Sequence, residues 1–217
     1  SMATSSQMTR FAKLVNEAKR PVLYAGGGVI AAGAANDLAR LAHKAQIPVA
    51  TTLMGLGAFD EHDPLSLRFA GMHGAYAANM AIDQADLIVA LGVRFSDRVT
   101  GKLAAYAHHA KMIHVDCDPS SIGKNVPVDL GIVADVKDVL TTVNSRIRHA
   151  EHGEWLARID EWRRKHPISY SPMHKNVIMP QQVIESIDRA SRGRAVIVTD
   201  VGQHQMWSAQ VFRHNRA

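Results

Sequence analysis

Pro21-Val22-Leu23-Tyr24-Ala25-Gly26-Gly27-Gly28 is a short apolar run that breaks into a glycine triplet. The run has neither the length of a helix nor the apolar–polar alternation of a half-exposed strand, so it reads as a strand buried on both faces. Asp86-Leu87-Ile88-Val89-Ala90-Leu91-Gly92 repeats the form, again closing on glycine. Pro48–Thr52, Lys111–Asp116 and Leu130–Ala134 are further strand candidates. Helical patterns lie between them: an entry helix near Thr9–Ala18, Ala32–Ala45 with Leu38, Leu41 and Ala45 in phase, and Ala75–Gln84. Val136, Val139, Leu140, Val143 and Ile147 mark an amphipathic closing helix. Doubly buried strands alternating with helices predict a Rossmann-like α/β domain, a parallel sheet with helices on both faces.

That pattern ends near Ala150, which sets the expected organisation. Residues 1–8, small and polar at the start, read as a lead-in, and 9–150 as the α/β domain. Residues 151–180 read as a linker, with Trp155, Ile159 and Trp162 docking a helix on a neighbour and three prolines punctuating the stretch that follows. Residues 181–217 carry a helix (Gln181–Ala190) and a strand (Ala195–Asp200), the opening of a second α/β domain. A lone helix and strand cannot build a core, so this second domain is expected to be truncated. Residues 168–217 are then expected to be poorly ordered, or packed on another copy of the chain.

In open parallel sheets, ligands bind beyond the carboxyl ends of the strands. Gly26, Gly27 and Gly28 would let a diphosphate approach the backbone there, or would simply make a tight turn. The ordinary dinucleotide fingerprint is absent. Gly33 falls two positions late for it, and the second strand ends in Thr51-Thr52-Leu53 without a carboxylate. Acids stand at later strand ends instead: Asp116 and Asp118, then Asp135. For Asp116 and Asp118 the plainer reading is an Asx-turn before Pro119, which alone would explain one of them. The loop Gly92-Val93-Arg94-Phe95-Ser96-Asp97-Arg98-Val99-Thr100-Gly101-Lys102 sets two arginines and an aspartate directly after a buried strand. Arginine offers bidentate charged donors to phosphate or carboxylate, although a surface Asp97–arginine pair is the plainer use. Gly71-Met72-His73-Gly74 could present amides and a flat imidazole to a ring system, or merely lead into a helix.

Net charge is +5. Residues 1–145 balance 13 Lys/Arg against 13 Asp/Glu, and 146–217 carry 12 against 7, so the excess lies in the C-terminal third. Basic residues are not interleaved with aromatics and no nucleic-acid module is recognisable, so nucleic acid is not an expected partner. No apolar run reaches the roughly 20 residues a membrane helix needs, so no membrane partner is expected. The twelve histidines are scattered without metal-ligand spacing, and His108-His109 reads as a loop pair. One cysteine, Cys117, excludes an internal disulfide and fits a cytoplasmic location.

Taken in order, Thr51–Gly57, Gly71–Gly74, Gly92–Gly101, Asp116–Pro119, Ile122–Asn125 and Gly202-Gln203-His204-Gln205-Met206-Trp207 resemble the acetohydroxyacid (acetolactate) synthase catalytic subunits. The resemblance spans nearly all of the chain after the lead-in. Ser96 stands where an acid is common in that family, and Ala70 where leucine is. The resemblance implies a central domain that binds FAD, without net redox chemistry, at Gly27, Thr52, Leu53, Gly71, Met72, His73, Gly92, Arg94, Arg98, Asp116, Cys117, Asp135 and Val136. It implies thiamine diphosphate contacts at Gln203 and His204, and a substrate-channel position for Asp97 and Arg98. Arg98 would hold the carboxylate of the second substrate.

The implied reaction joins two 2-oxo acids. Pyruvate is decarboxylated with thiamine diphosphate as electron sink, and its remaining carbons are added to a second pyruvate or to 2-oxobutyrate, for branched-chain amino-acid biosynthesis. Mg²⁺, a homo-oligomer and a regulatory small subunit belong to the implied parent. The residues that activate the cofactor and hold the magnesium are not among these 217, which therefore contain no metal site and are expected to be inactive alone. Two alternatives stay open: another thiamine-diphosphate carboligase or decarboxylase, and a stand-alone nucleotide-binding module.

Overall fold

The computed structural model describes residues 2–96, 100, 106–107, 109–171 and 177–216. Within them β1 (Pro21–Ala25), β2 (Val49–Thr51), β3 (Ser66–Phe69), β4 (Leu87–Leu91), β5 (Lys111–Asp116) and β6 (Leu130–Val133) form one sheet, ordered β3-β2-β1-β4-β5-β6. Every pairing is parallel. The order reverses between β1 and β4, so the loops after these two strands flank the crevice where doubly wound folds bind ligands.

Alternate strand residues feed two apolar layers. Leu23, Val49, Val89, Ile113 and Ile132 face α1 (Ser5–Glu17), α3 (Ala35–Ala45) and α5 (Val136–Asn144), against Phe11, Leu38, Leu41 and Leu140. Val22, Ala50, Ile88 and Met112 face α4 (Tyr76–Gln84) and α6 (Gly153–Lys165), against Ala78, Ile82, Trp155 and Ile159. Trp155, 3% exposed, also donates its indole N–H to Pro21 O at 3.1 Å, which fixes the predicted linker helix to the start of β1. None of the helices in the described residues is long and apolar enough to cross a membrane.

Five features differ from the sequence reading. The entry helix starts at Ser5, because Thr4 and Gln7 close a capping box. Met8, placed in the lead-in, is 2% exposed in the core. The glycine triplet opens a separate short helix, α2 (Gly27–Ala31), ahead of α3. Strand β3 was not anticipated: it is a short edge strand with a register shift against β2, and its Arg68 has φ 65°.

The last difference concerns residues 177–216, which hold α7 (Pro180–Ser191) and α8 (Gln203–Val211). Ala195–Asp200 joins no strand of the sheet. Its valines 196 and 198 are exposed, as are Val183 and Ile187 on α7. The end of the chain, by contrast, docks on its own domain rather than lying loose. Phe212 is buried, His214 N donates to Glu61 Oε2 at 3.2 Å, and Glu61 N donates to His214 O at 3.0 Å. Arg68 Nη2 reaches Glu61 Oε2 and Phe212 O, both at 3.4 Å. Burial raises Glu61 above the usual carboxylate range and lowers Arg68, so for each partner desolvation outweighs their attraction.

Candidate functional site

Parallel strands all deliver their carboxyl ends to one edge, and the candidate residues collect there from all six. Gly27 follows β1, Thr52 and Leu53 follow β2, and Gly71, Met72 and His73 follow β3. Gly92 and Arg94 follow β4, Asp116 and Cys117 close β5, and Asp135 and Val136 follow β6. Asp97 and Arg98 lie outside the described residues.

The glycines at the strand-order reversal do different work. A Cβ on Gly26 would overlap the Gly92 carbonyl oxygen, and one on Gly28 would lie 2.6 Å from Gly92 Cα. Gly26 N donates to Leu91 O at 2.9 Å and Gly28 N to Gly92 O at 3.3 Å. Two of the three glycines therefore let the loops after β1 and β4 touch backbone to backbone. Gly27, half-buried beside Met54, is the member of the triplet not used in that contact.

The loop after β3 is held from behind. Asn79 on α4 accepts from Gly71 N and donates to Gly71 O, both at 2.9 Å. Gly71 takes φ 126°, and a Cβ on Gly74 would come within 2.5 Å of Phe69 O, so both positions require glycine. This bracing leaves Met72 73% exposed and His73 exposed beside it; Met54, after β2, is 76% exposed. Two exposed thioether side chains thus stand on the loops that follow β2 and β3.

The acids divide. Asp116 Oδ1 accepts from Asp118 N, and Asp118 accepts from Ser120 N and Oγ and from Ser121 Oγ. These Ser120 bonds, with help from the charge of Arg94, hold the Asp118 carboxyl below the usual range. Both Asp116 and Asp118 thus make side-chain turns, where the turn reading of the sequence accounted for only one of them. Asp135 caps α5 through Oδ1, accepting from Lys137 N at 2.7 Å and Asp138 N at 3.3 Å. Val136 points into the core, so only its backbone can face a ligand. Cys117 is exposed with a free thiol.

Gln203 and His204, both exposed, begin α8 behind Gly202, whose φ of 148° favours glycine. Near the other end of α8, Gln210 Nε2 donates to His73 O at 2.8 Å. One helix therefore joins the residues assigned to thiamine diphosphate to a loop assigned to flavin. Asn79 and Gln210 were missed by sequence reasoning, as were Asn125 and His114, which hold the loop after β4. All four are ordinary polar residues whose partners become neighbours only in the fold. Among the described residues, no group of three or more His, Cys, Asp or Glu could hold a metal.

Comparison with known proteins agrees with this geometry. Residues 8–143 match the family model for the thiamine pyrophosphate enzyme central domain. Acetolactate synthase 1, chloroplastic, of Zea mays is 48% identical over 210 residues, covering 94% of this chain and 32% of that protein. The acetolactate synthase large subunit of Cyanidium caldarium is 44% identical over 214 residues, 95% of this chain and 36% of that protein. Acetolactate synthase of Mycobacterium bovis is 45% identical over 218 residues, 98% of this chain and 35% of that protein. The chain spans about a third of the length of these curated relatives. With its parallel sheet, its strand-end loops and a family match across most of its length, the chain belongs to the thiamine pyrophosphate enzyme family, with residues 8–143 forming the central domain.

Proposed function

We propose that the chain is the central part of an acetolactate synthase large subunit and that its strand-end edge binds FAD. The observation carrying the flavin reading is the convergence of loops from all six strands on one edge, with glycine where backbones approach and exposed Met54 and Met72 on two of those loops. The residues fit the group: Gly27 beside Met54 leaves backbone open to a diphosphate, Arg94 supplies a cation, and Asp116 supplies a carboxylate for a hydroxyl. Sequence identity of 44–48% to acetolactate synthases supports the enzymatic reading.

In the parent, thiamine diphosphate would supply the electron sink that permits decarboxylation of a 2-oxo acid. This chain would contribute Gln203 and His204 to that cofactor and Arg98 to the carboxylate of the second substrate. Mg²⁺ would be held by residues of the parent beyond these 217. Division into a domain at 9–150, a linker at 151–180 and a second-domain opening at 181–217, homo-oligomerisation with a regulatory subunit, and a cytoplasmic location complete the proposal. FAD titrated into the purified chain tests it. Saturable quenching of flavin fluorescence is expected, weaker than in the parent; no binding at high micromolar FAD would overturn the flavin assignment.

A further inference from the structure

Parallel register places Tyr24 of β1, Ala90 of β4 and His114 of β5 in one row across the sheet. Tyr24 and Ala90 belong to the layer that faces α4 and α6, His114 joins it beside Ala90, and the alanine between two ring side chains leaves a gap. Phe95, from the loop after β4, turns back and fills it. Its ring centroid lies 6.1 Å from Tyr24, 5.2 Å from His114 in an edge-on arrangement, and 6.0 Å from Tyr106. Phe95 is 3% exposed, and reaching the gap requires φ 50°, a conformation that a residue with a Cβ avoids without compensation.

Two side chains then hold the backbone on either side. His114 Nε2 lies 2.9 Å from Val93 O, which accepts, so the ring carries its proton on Nε2. Asn125 Nδ2 donates to Arg94 O at 3.3 Å and to Phe95 O at 3.0 Å. Arg94 is the exposed residue between the fastened carbonyl of Val93 and the buried ring of Phe95. A long cation gains binding strength when its backbone is fixed before the ligand arrives, since less freedom is lost on contact.

We propose that Phe95, His114 and Asn125 are positioning residues that set Arg94 against the diphosphate of the flavin nucleotide. This rests on the flavin reading above and adds how the site is built and which portion of the ligand Arg94 serves. The proposal predicts coupling: removing a fastening should cancel the contribution of Arg94 rather than add to its loss.

The test uses the 217-residue chain with Arg94→Ala, Asn125→Ala and the double variant. Each is titrated with FAD and with riboflavin, which lacks phosphates, and its urea midpoint is recorded. Arg94→Ala and Asn125→Ala should each weaken FAD about tenfold, the worth of one charge-assisted contact, and leave riboflavin unchanged. The double variant should be no weaker than Arg94→Ala alone. His114→Ala should behave as Asn125→Ala does, and His114→Gln, which retains an N–H donor, should recover most of the loss. A double variant about a hundredfold weaker, the product of two independent effects, would overturn the proposal and leave the flavin site standing. Equal loss of riboflavin and FAD would also overturn it, by showing a general loosening of the site. An unsubstituted 217-residue chain that binds no FAD would overturn the flavin reading and this inference with it.

Discussion

Replacing glycines by alanine at four positions separates steric from conformational demand at the strand-order reversal. Gly26 has an ordinary extended backbone, φ −105°, but an added Cβ would overlap Gly92 O and sit 2.9 Å from Gly92 C. Carbon atoms prefer about 3.5–4.0 Å, so the two loops would have to part by roughly an ångström, and overpacking of this kind costs about 1–3 kcal/mol. Gly33 is the converse, with φ 61° and nothing within 4 Å, so alanine there meets only the left-handed penalty of about 1–2 kcal/mol. That is partly offset by the stiffer unfolded chain, by about 0.4–1 kcal/mol. Gly92 combines both demands, φ 60° and a Cβ contact of 2.5 Å to Gly28 Cα, and should lose about 2–5 kcal/mol. Gly153 has neither demand, and alanine there should be neutral or stabilising by a few tenths of a kcal/mol. Urea unfolding gives the four midpoints. The expected order of destabilisation is Gly92, then Gly26, then Gly33, then Gly153. A Gly26→Ala variant as stable as Gly153→Ala would refute the backbone-to-backbone packing.

Three other outcomes are expected. Trp155→Phe should cost about 0.5–1.5 kcal/mol for the lost bond to Pro21 O, and Trp155→Ala about 3–5 kcal/mol, both read by urea midpoint. Burial lowers the pKa of His114, as it does for His152 and His214, so the native state prefers each ring neutral. Stability is therefore complete above the ordinary value of 6.5 and falls as pH drops below it through the lowered values. His114→Gln should reduce that slope by up to about 1.4 kcal/mol per pH unit, measured as unfolding free energy between pH 7 and 5. The chain supplied with thiamine diphosphate, Mg²⁺ and FAD should form no acetolactate in a colorimetric acetoin assay. In the longer parent, Arg98→Ala should slow use of the second substrate about ten- to hundredfold, more than it slows the first decarboxylation.

The buried strands were legible because nothing but a doubly covered strand suits runs such as Val22–Ala25 and Leu87–Leu91. Strand β3 was not, since Ser66 and Arg68 break the apolar run and the strand is short, bulged and at the edge. Ala195–Asp200 shows the reverse error. Its composition is that of a strand, but composition cannot supply the neighbour a strand needs. At the candidate site, glycine and charge marked the strand-end loops, yet the roles of the glycines depend on contacts that form only in the fold. Gly26 and Gly28 pack against the loop after β4, and Gly27 lies against Met54 instead. Asn79, His114, Asn125 and Gln210 escaped because their loop partners are 8, 21, 30–31 and 137 residues away in sequence.

Hydrogen exchange of the chain with and without FAD tests the central claim most directly, because it reads occupancy and location together. Slowed exchange is predicted at Gly26–Gly28, Thr52–Met54, Gly71–Gly74, Gly92–Ser96, Asp116–Asp118 and Asp135–Val136, with the amino-terminal ends of the strands unchanged. Protection confined to α7 and α8, or no change under saturating FAD, would contradict the assignment of the strand-end edge as the flavin site.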